Sequence, residues 1–315
     1  MFITGANGFI GRALAAHYRN AGSVVCGIDL RGDEEWGVAA ADLNAPRQWR
    51  STLSGADLVI HTAAIVSNTA SMDMAWRVNV AGTAALLDAC EQARVGRFVH
   101  LSSVAAYGFD FDQDVAEDRP LRPMGNSYVD TKIASEHAVL ASHAGGRLDC
   151  TIVRPGDVYG PGSRPWVVLP LQMLAAGRFL LPARGAGIFS PVYIDDLVAG
   201  IVLASAATAG RGQIFNIGGG MGVRCDEFFG YHARMLPGEP PLRCLGTPAA
   251  RLLATLAGGA ARMLGRPTEL GRGTIDMLSR RAGYSISKAR DLLGYEPATG
   301  LEEGMVRTRD WVLAG

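Results

Sequence analysis

The chain has 315 residues, of which 48% are apolar and 19% charged, enough for one large or two modest domains with a sizeable core. Its 30 basic and 30 acidic side chains cancel, which excludes the basic footprint of a nucleic-acid binder and the acidic composition of a disordered chain. Five scattered cysteines without a CxxC pair exclude a disulfide framework or thiolate zinc site and make a reducing cytoplasm the expected location.

The chain opens on a short apolar strand and "TGANGFIG", with no basic leader pattern before it and no apolar run of membrane-spanning length. Gly5 permits the tight turn, Gly8 lets backbone approach a pyrophosphate, and Gly11 lets the following helix pack on the sheet. Phosphate charge would then meet free N–H groups at the helix start. An ordinary strand-to-helix turn has the same spacing, so a second signal is needed. Asp29 supplies it: ending the next apolar run, it can accept from both hydroxyls of an adenosine ribose. That favours NAD over NADP, whose phosphate would face a negative charge, although Arg31 softens the preference. Asp42 in "ADLN" reads either as a contact to the adenine amino group or as a loop cap.

Segments 23–29, 56–61, 97–103 and 149–155 are short, Val/Ile-rich and bounded by turn residues, as buried parallel strands are. Helical spacing fills 10–22, 76–93 and 127–144 between them, so right-handed crossovers and a doubly wound sheet are expected. Past about residue 160 the pattern becomes mostly helical, including 166–177, 226–236 and 249–264. Segments 191–205 and 213–219 read as a helix and strand returning to the large sheet. A cleft between two such lobes favours a small-molecule substrate.

Lys132 and Lys288 are the only lysines against 28 arginines. In "SYVDTK", Tyr128 and Lys132 lie one helical turn apart behind a cap at Asn126 or Ser127, so both share a face. An ammonium beside a phenol lowers its pKa and makes tyrosine a usable acid and base. Tyr284 and Lys288 repeat the spacing, but an extended Tyr284 before a helix capped by Ser287 need not share a face with Lys288. Ser102 or Ser103, ending a strand, could hold a developing alkoxide. The six histidines show no metal-ligand spacing; His61 and His100 read as structural, and Asp195 and Asp196 as helix-start carboxylates.

The chain resembles, essentially end to end, the extended short-chain dehydrogenase/reductases, also called the NAD-dependent epimerase/dehydratase family. The resemblance is carried by "TGANGFIG", Asp29, "ADL" at 41–43, "VIHTAA" at 59–64, "NVAGT" at 79–83, "LSSVAAYG" at 101–108 and "YVDTK". It continues through "RPGDVYGPG" at 154–162, "VYIDDLVAGI" at 192–201, "FNIGGG" at 215–220 and "KARDLLGYEP" at 288–297. It implies an α/β fold: a Rossmann-type doubly wound parallel sheet over 1–160, with 190–220 returning to it. A smaller, mostly helical C-terminal substrate domain would comprise 161–189 and 221–300.

The resemblance further implies Ser103, rather than Ser102, as the catalytic serine, Tyr128 as acid/base, and Lys132 on the nicotinamide ribose. Cofactor contacts would come from Gly5, Asn7, Gly8, Phe9, Ile10, Gly11, Asp29, Asp42, Leu43, Ala63, Ala64, Asn79, Tyr128, Lys132, Pro155 and Val158. A homodimer through 76–93 and 127–144 is implied as well.

Two departures bear on substrate. Asp157 stands where nucleotide-sugar members carry an amide, and its charge would repel phosphate. Phe189 stands where they carry a diphosphate-binding arginine; Arg178, Arg184 and Arg224 are the nearby substitutes. Segments 165–182 and 249–264 are apolar and read as helical core or as a hydrophobic substrate lid; too few basic residues line the second to support membrane contact. The leading expectation is an NAD-dependent oxidoreductase for a secondary alcohol or ketone of an apolar molecule. The alternatives are nucleotide-sugar epimerisation or dehydration with recycled NAD, and an NAD-sensing regulator without turnover.

Overall fold

In a computed structural model, residues 1–67, 69–263 and 271–314 are described; residue 264, closing the 249–264 stretch, and the part of 221–300 at 264–270 lie outside them. Seven parallel strands make the central sheet: β1 (Phe2–Thr4), β2 (Cys26–Asp29), β3 (Val38–Ala40), β4 (Leu58–His61), β5 (Arg97–Leu101), β6 (Cys150–Pro155) and β7 (Ile214–Ile217). Their order is β7-β6-β5-β4-β1-β2-β3, so the direction of winding reverses beside β1. In open α/β sheets ligands bind where such a reversal leaves a crevice at the carboxyl ends of the strands. Strands β1, β5 and β6 are buried along their whole length, Arg97, His100 and Arg154 included.

The strand predicted over 23–29 begins only at Cys26, because Val24 is 85% exposed and takes no part in the sheet. Strand β3 was not anticipated: three residues with one inward side chain, Val38, carry too little periodicity to register. Helix α1 (Phe9–Asn20) and helix α3 (Ser127–Ala144) match their predicted spans closely. The helix expected over 76–93 is interrupted instead. A short helix, Met72–Trp76, opens into a wide turn at Arg77–Ala81 before α2 (Gly82–Gln92) resumes regular winding. The buried Asn79 sits in that turn with its amide bonded to Ile65 and Thr131, so tertiary bonds take precedence over regular winding there.

The returning segments behave as expected: a short strand at Pro191–Tyr193 leads into helix α4 (Ile194–Ala206), and β7 pairs with β6. Asp196 is not a cap for its own helix. It is buried and accepts from the Ala298 and Thr299 backbone N–H groups, while Asp195 faces Arg307. The region after β7 is mostly helical, with α5 (Cys225–Arg234), α6 (Thr247–Met263), Arg272–Met277, α7 (Ser287–Leu293) and α8 (Leu301–Ala314). Within 165–182, Val167, Leu171, Leu174, Phe179 and Leu181 are buried core, as the simpler reading had it. In α6, Ala250 and Ala254 are buried while Leu252, Leu253 and Leu256 are exposed.

Helix α3 is fastened to β6 by a fully buried ion pair. Arg154 Nε and Nη2 donate to the Glu136 carboxylate at 2.8 and 2.5 Å, and Arg154 Nη1 donates to the Tyr107 hydroxyl, which donates to Asn216. Removing one member strands the other charge in a low-dielectric interior. Glu136→Gln is therefore expected to lower the unfolding free energy by about 3–5 kcal/mol, measured by urea denaturation.

Candidate active site

Strand β5 ends at Leu101, and its carboxyl end carries Ser102 and Ser103 into a tight turn at Val104–Tyr107. The Ser103 hydroxyl accepts from the Ala105 N–H at 3.1 Å, which fixes the turn and the serine together. Beside it, Asn126 rather than Ser127 caps α3, accepting from the Tyr128 and Val129 N–H groups. Tyr128 and Lys132 then share the predicted face, with the ammonium 6.0 Å from the centre of the phenol ring. The Tyr128 phenol lies near enough to the Ser103 hydroxyl for the serine to lower its pKa. Serine, tyrosine and lysine thus converge at the end of β5. Ser102 does not join them; its hydroxyl is buried without a partner among the described residues.

The electrostatics differ from the expectation. Burial pushes the Tyr128 phenol above its ordinary value of 10.0; the nearby Ser103 hydroxyl opposes this and the charge of Asp157 adds to it. The lysine does not reverse the balance because its ammonium is engaged elsewhere, donating to the Leu101 carbonyl at 2.7 Å. Lys132 is itself pulled down to about 8 by burial, with the Glu136 carboxylate one turn further along α3 opposing that fall.

The repeated Tyr–Lys spacing resolves as argued. Lys288 lies over the Phe215 ring at 5.3 Å, whereas the Tyr284 hydroxyl accepts from Arg280 at 3.1 Å. Ser287 is the first residue of α7 and not its cap, which is Ile286.

The glycine loop fits a dinucleotide. Gly5 has φ +67°, and a Cβ there would lie 2.8 Å from the Ala63 nitrogen; one at Gly11 would lie 2.2 Å from the Gly5 carbonyl oxygen. Gly8 precedes α1 exposed and without a side-chain cap, which leaves the first-turn N–H groups, those of Phe9 and Ile10 among them, for an anion. Asp29 ends β2 half-buried and accepts from Asn7 N–H at 3.0 Å and Leu30 N–H at 2.7 Å. Asp42 is exposed and caps a turn at Asn44, as its simpler reading had it. Leu43 is buried beneath Gly82, Ala63 is half-buried beside Gly5 with Ala64 half-buried after it, and Pro155 and Val158 are buried at and just past the end of β6. Asn79 holds the Ile65 loop through its amide, a supporting position more than a contacting one.

Asp157 is corrected. Its carboxylate is paired with the guanidinium of Arg280, both buried, and also accepts from Ser190 N–H at 2.9 Å. It is therefore no bare negative charge turned on a phosphate. Arg280 escaped the sequence reading because 123 positions separate the partners and no local pattern marks the pair. Glu136 was legible in principle, four residues beyond Lys132 on the same helical face. Phe189 is fully buried against Phe228 and Trp166, with ring centres 4.1 and 4.8 Å away. Of the possible substitutes, Arg224 is paired with Asp226 and Arg178 is exposed. Among the described residues no His, Cys, Asp or Glu cluster could hold a metal ion.

The model of the NAD dependent epimerase/dehydratase family matches residues 1–218. A 3beta-hydroxysteroid-dehydrogenase/decarboxylase of Arabidopsis thaliana is 29% identical over 98% of this chain and 78% of its own. A dTDP-glucose 4,6-dehydratase of Streptomyces griseus is 28% identical over 99% and 93%. The solved structure of MoeE5 in complex with UDP-glucose and NAD superposes with a TM-score of 0.81 at 26% identity, over 99% of this chain and 98% of that one.

Beneath the trio, His61 and His100 are buried on neighbouring strands. His61 binds Thr4 and Thr83 at 2.6 and 2.9 Å, and His100 binds Ser135 at 3.0 Å. Burial, then the Lys132 charge, pulls His61 down to about 3, and His100 is lowered for the same reasons. Below pH 6.5 the unfolded chain takes up protons that the folded rings refuse, so these rings make stability fall as pH falls from 6.5 towards 3. Urea titrations of His61→Asn are expected to show a slope shallower than the parent's by about 1.4 kcal/mol per pH unit between roughly pH 6 and 4.

Proposed function

The chain belongs to the NAD-dependent epimerase/dehydratase family, and on that premise we propose that it is an NAD-dependent oxidoreductase for a secondary alcohol or ketone of an apolar, uncharged molecule. The observation that carries this is the convergence of Ser103, Tyr128 and Lys132 at the end of β5, on the same sheet edge as the glycine loop. Bound NAD would supply a ring that takes up or returns hydride.

The chain's own residues do the rest. Ser103 donates to the substrate oxygen and steadies its charge. Tyr128 removes the hydroxyl proton in oxidation and returns it in reduction. Lys132, fixed by Leu101, meets the ribose beside the reacting ring and keeps a positive charge near the phenol. Asp29 exchanges its bond to the Asn7 N–H for the ribose hydroxyls, which favours NAD over NADP. The remaining cofactor contacts, the division into a nucleotide domain and a smaller substrate domain, a homodimer through α2 and α3, and a cytoplasmic location with five free thiols complete the reading.

An apolar, uncharged substrate is favoured by the commitment of the buried Arg280 and Arg154 guanidiniums to carboxylates, which withholds them from an anionic ligand. The hydroxysteroid relative and a Schizosaccharomyces pombe sterol-4-alpha-carboxylate 3-dehydrogenase, 31% identical over 81% of this chain and 77% of its own, lie on that side. A nucleotide-sugar epimerase or dehydratase is the second reading, favoured by the dehydratase relative and by MoeE5. The intact trio argues against a regulator without turnover.

Purified protein is expected to form NADH steadily with a panel of hydroxysteroids and long-chain secondary alcohols. Conversion of UDP- or dTDP-glucose with NAD retained would overturn the apolar reading. Tyr128→Phe is expected to lower turnover by about 10²–10⁴-fold while NAD binding, followed by calorimetry, stays within about threefold of the parent. Undiminished turnover would remove the tyrosine from the mechanism.

A further inference from the structure

The first turn of α1 carries Arg12, one residue past the last glycine of the loop. Its Nη2 donates to Asn7 Oδ1 and to Asp33 Oδ2, each at 2.7 Å. Asn7 is tied at its other end too: its Nδ2 donates to the Arg31 carbonyl at 2.7 Å, and its backbone N–H donates to Asp29. A single residue, Asn7, thus bridges the Arg12 guanidinium and the carboxylate that would meet the adenosine ribose. Asp33 is placed by a loop that folds back on α1. Asp33 and Val38 exchange both backbone hydrogen bonds at 2.8 Å, and Asp33 Oδ1 accepts from the Trp36 N–H at 3.2 Å. Trp36 lies against α1, its ring centre 4.4 Å from the Arg12 Cζ and 5.0 Å from the Arg19 Cζ.

We propose that Asp33 is a cofactor-specificity residue: by engaging Arg12 it withholds that guanidinium from an adenosine 2′-phosphate, so that two carboxylates, not Asp29 alone, discriminate NAD from NADP. The phosphate of NADP sits on a ribose oxygen that in NAD is a hydroxyl facing Asp29. A guanidinium joined to Asp29 through one residue is the group best suited to receive it, because its fork matches phosphate oxygens. In this chain the fork is already committed to Asp33 and Asn7 and packed on Trp36. The Arg12 bond holds the Asp33 carboxyl below its ordinary range, so the pair is ionised at neutral pH. The Arg12 Nη1 is buried and has no hydrogen-bond partner among the described residues, so a guanidinium released from Asp33 has further donors to offer.

The inference rests on the proposed preference for NAD, and both are tested by calorimetric titration of the full chain with NAD and with NADP. Asp33→Asn keeps an acceptor for the Trp36 N–H and removes the charge. It is expected to raise the affinity for NADP relative to NAD by about tenfold or more. Arg12→Gln keeps a donor towards Asn7; it is expected to leave that ratio unchanged or to lower it, because Asp33 then faces the phosphate uncompensated. In the double variant most of the gain should vanish, since the guanidinium that receives the phosphate is gone. A pair that only braced the loop would change both affinities together and leave their ratio alone. An unmoved ratio in Asp33→Asn, a gain that survives whole in the double variant, or a relative gain for NADP in Arg12→Gln overturns the proposal. A parent that binds NADP as tightly as NAD would instead overturn the cofactor preference on which the proposal is built.

Discussion

The site depends on one buried cation. Lys132 is 4% exposed, and an ammonium stripped of water would cost several kcal/mol if nothing replaced its hydration. The Leu101 carbonyl at the end of β5 accepts a hydrogen bond from it, and the Glu136 carboxylate lies one turn away on the same face of α3. Since Leu101 immediately precedes Ser102 and Ser103, the bond that satisfies the lysine also sets α3 against the turn that carries Ser103. Arg154 then fixes Glu136 from β6. Three adjacent elements are held in register by groups that would each be penalised if left alone.

Competition between burial and charge decides the state of the phenol. One helical turn suggests that ammonium and phenol sit close enough for charge to prevail. At 6.0 Å from the ring centre, with an N–H donated to the Leu101 carbonyl, the ammonium does not offset burial, which is the largest influence on the phenol. A phenol that holds its proton more firmly than a free tyrosine, beside Ser103, is the outcome. Oxidation would need further positive charge near the phenol, which a bound cationic ring would supply.

The sequence made the frame legible where its signals were local. The glycine loop, the strand ends carrying Asp29 and Ser103, and the turn that places Lys132 under Tyr128 all lie within short windows, and their geometry follows from period and capping. Strand β3 was too short to show a period, and the wide turn around Asn79 is imposed by bonds to Ile65 and Thr131 that no helical spacing records. Arg280 was the largest omission. Its partner lies 123 residues away, and an arginine among 28 carries no mark of burial. Even the charge of Asp157, plain in the sequence, was misread for want of that partner.

The same pairing bears on the ligand class proposed for the cleft. A diphosphate needs guanidinium or ammonium groups free to turn towards it. Around the trio, Arg280 is committed to Asp157, Arg154 to Glu136 and Arg224 to Asp226, while Lys132 holds a backbone carbonyl. An anion that drew on Arg280 or Arg154 would have to break a buried pair and leave a carboxylate uncompensated, whereas Arg178 and Arg184 are exposed and in no ion pair among the described residues. An uncharged molecule asks nothing of these pairs and gains by covering apolar surface. The buried pairing that holds the site together thus also withholds Arg280 and Arg154 from an anionic ligand.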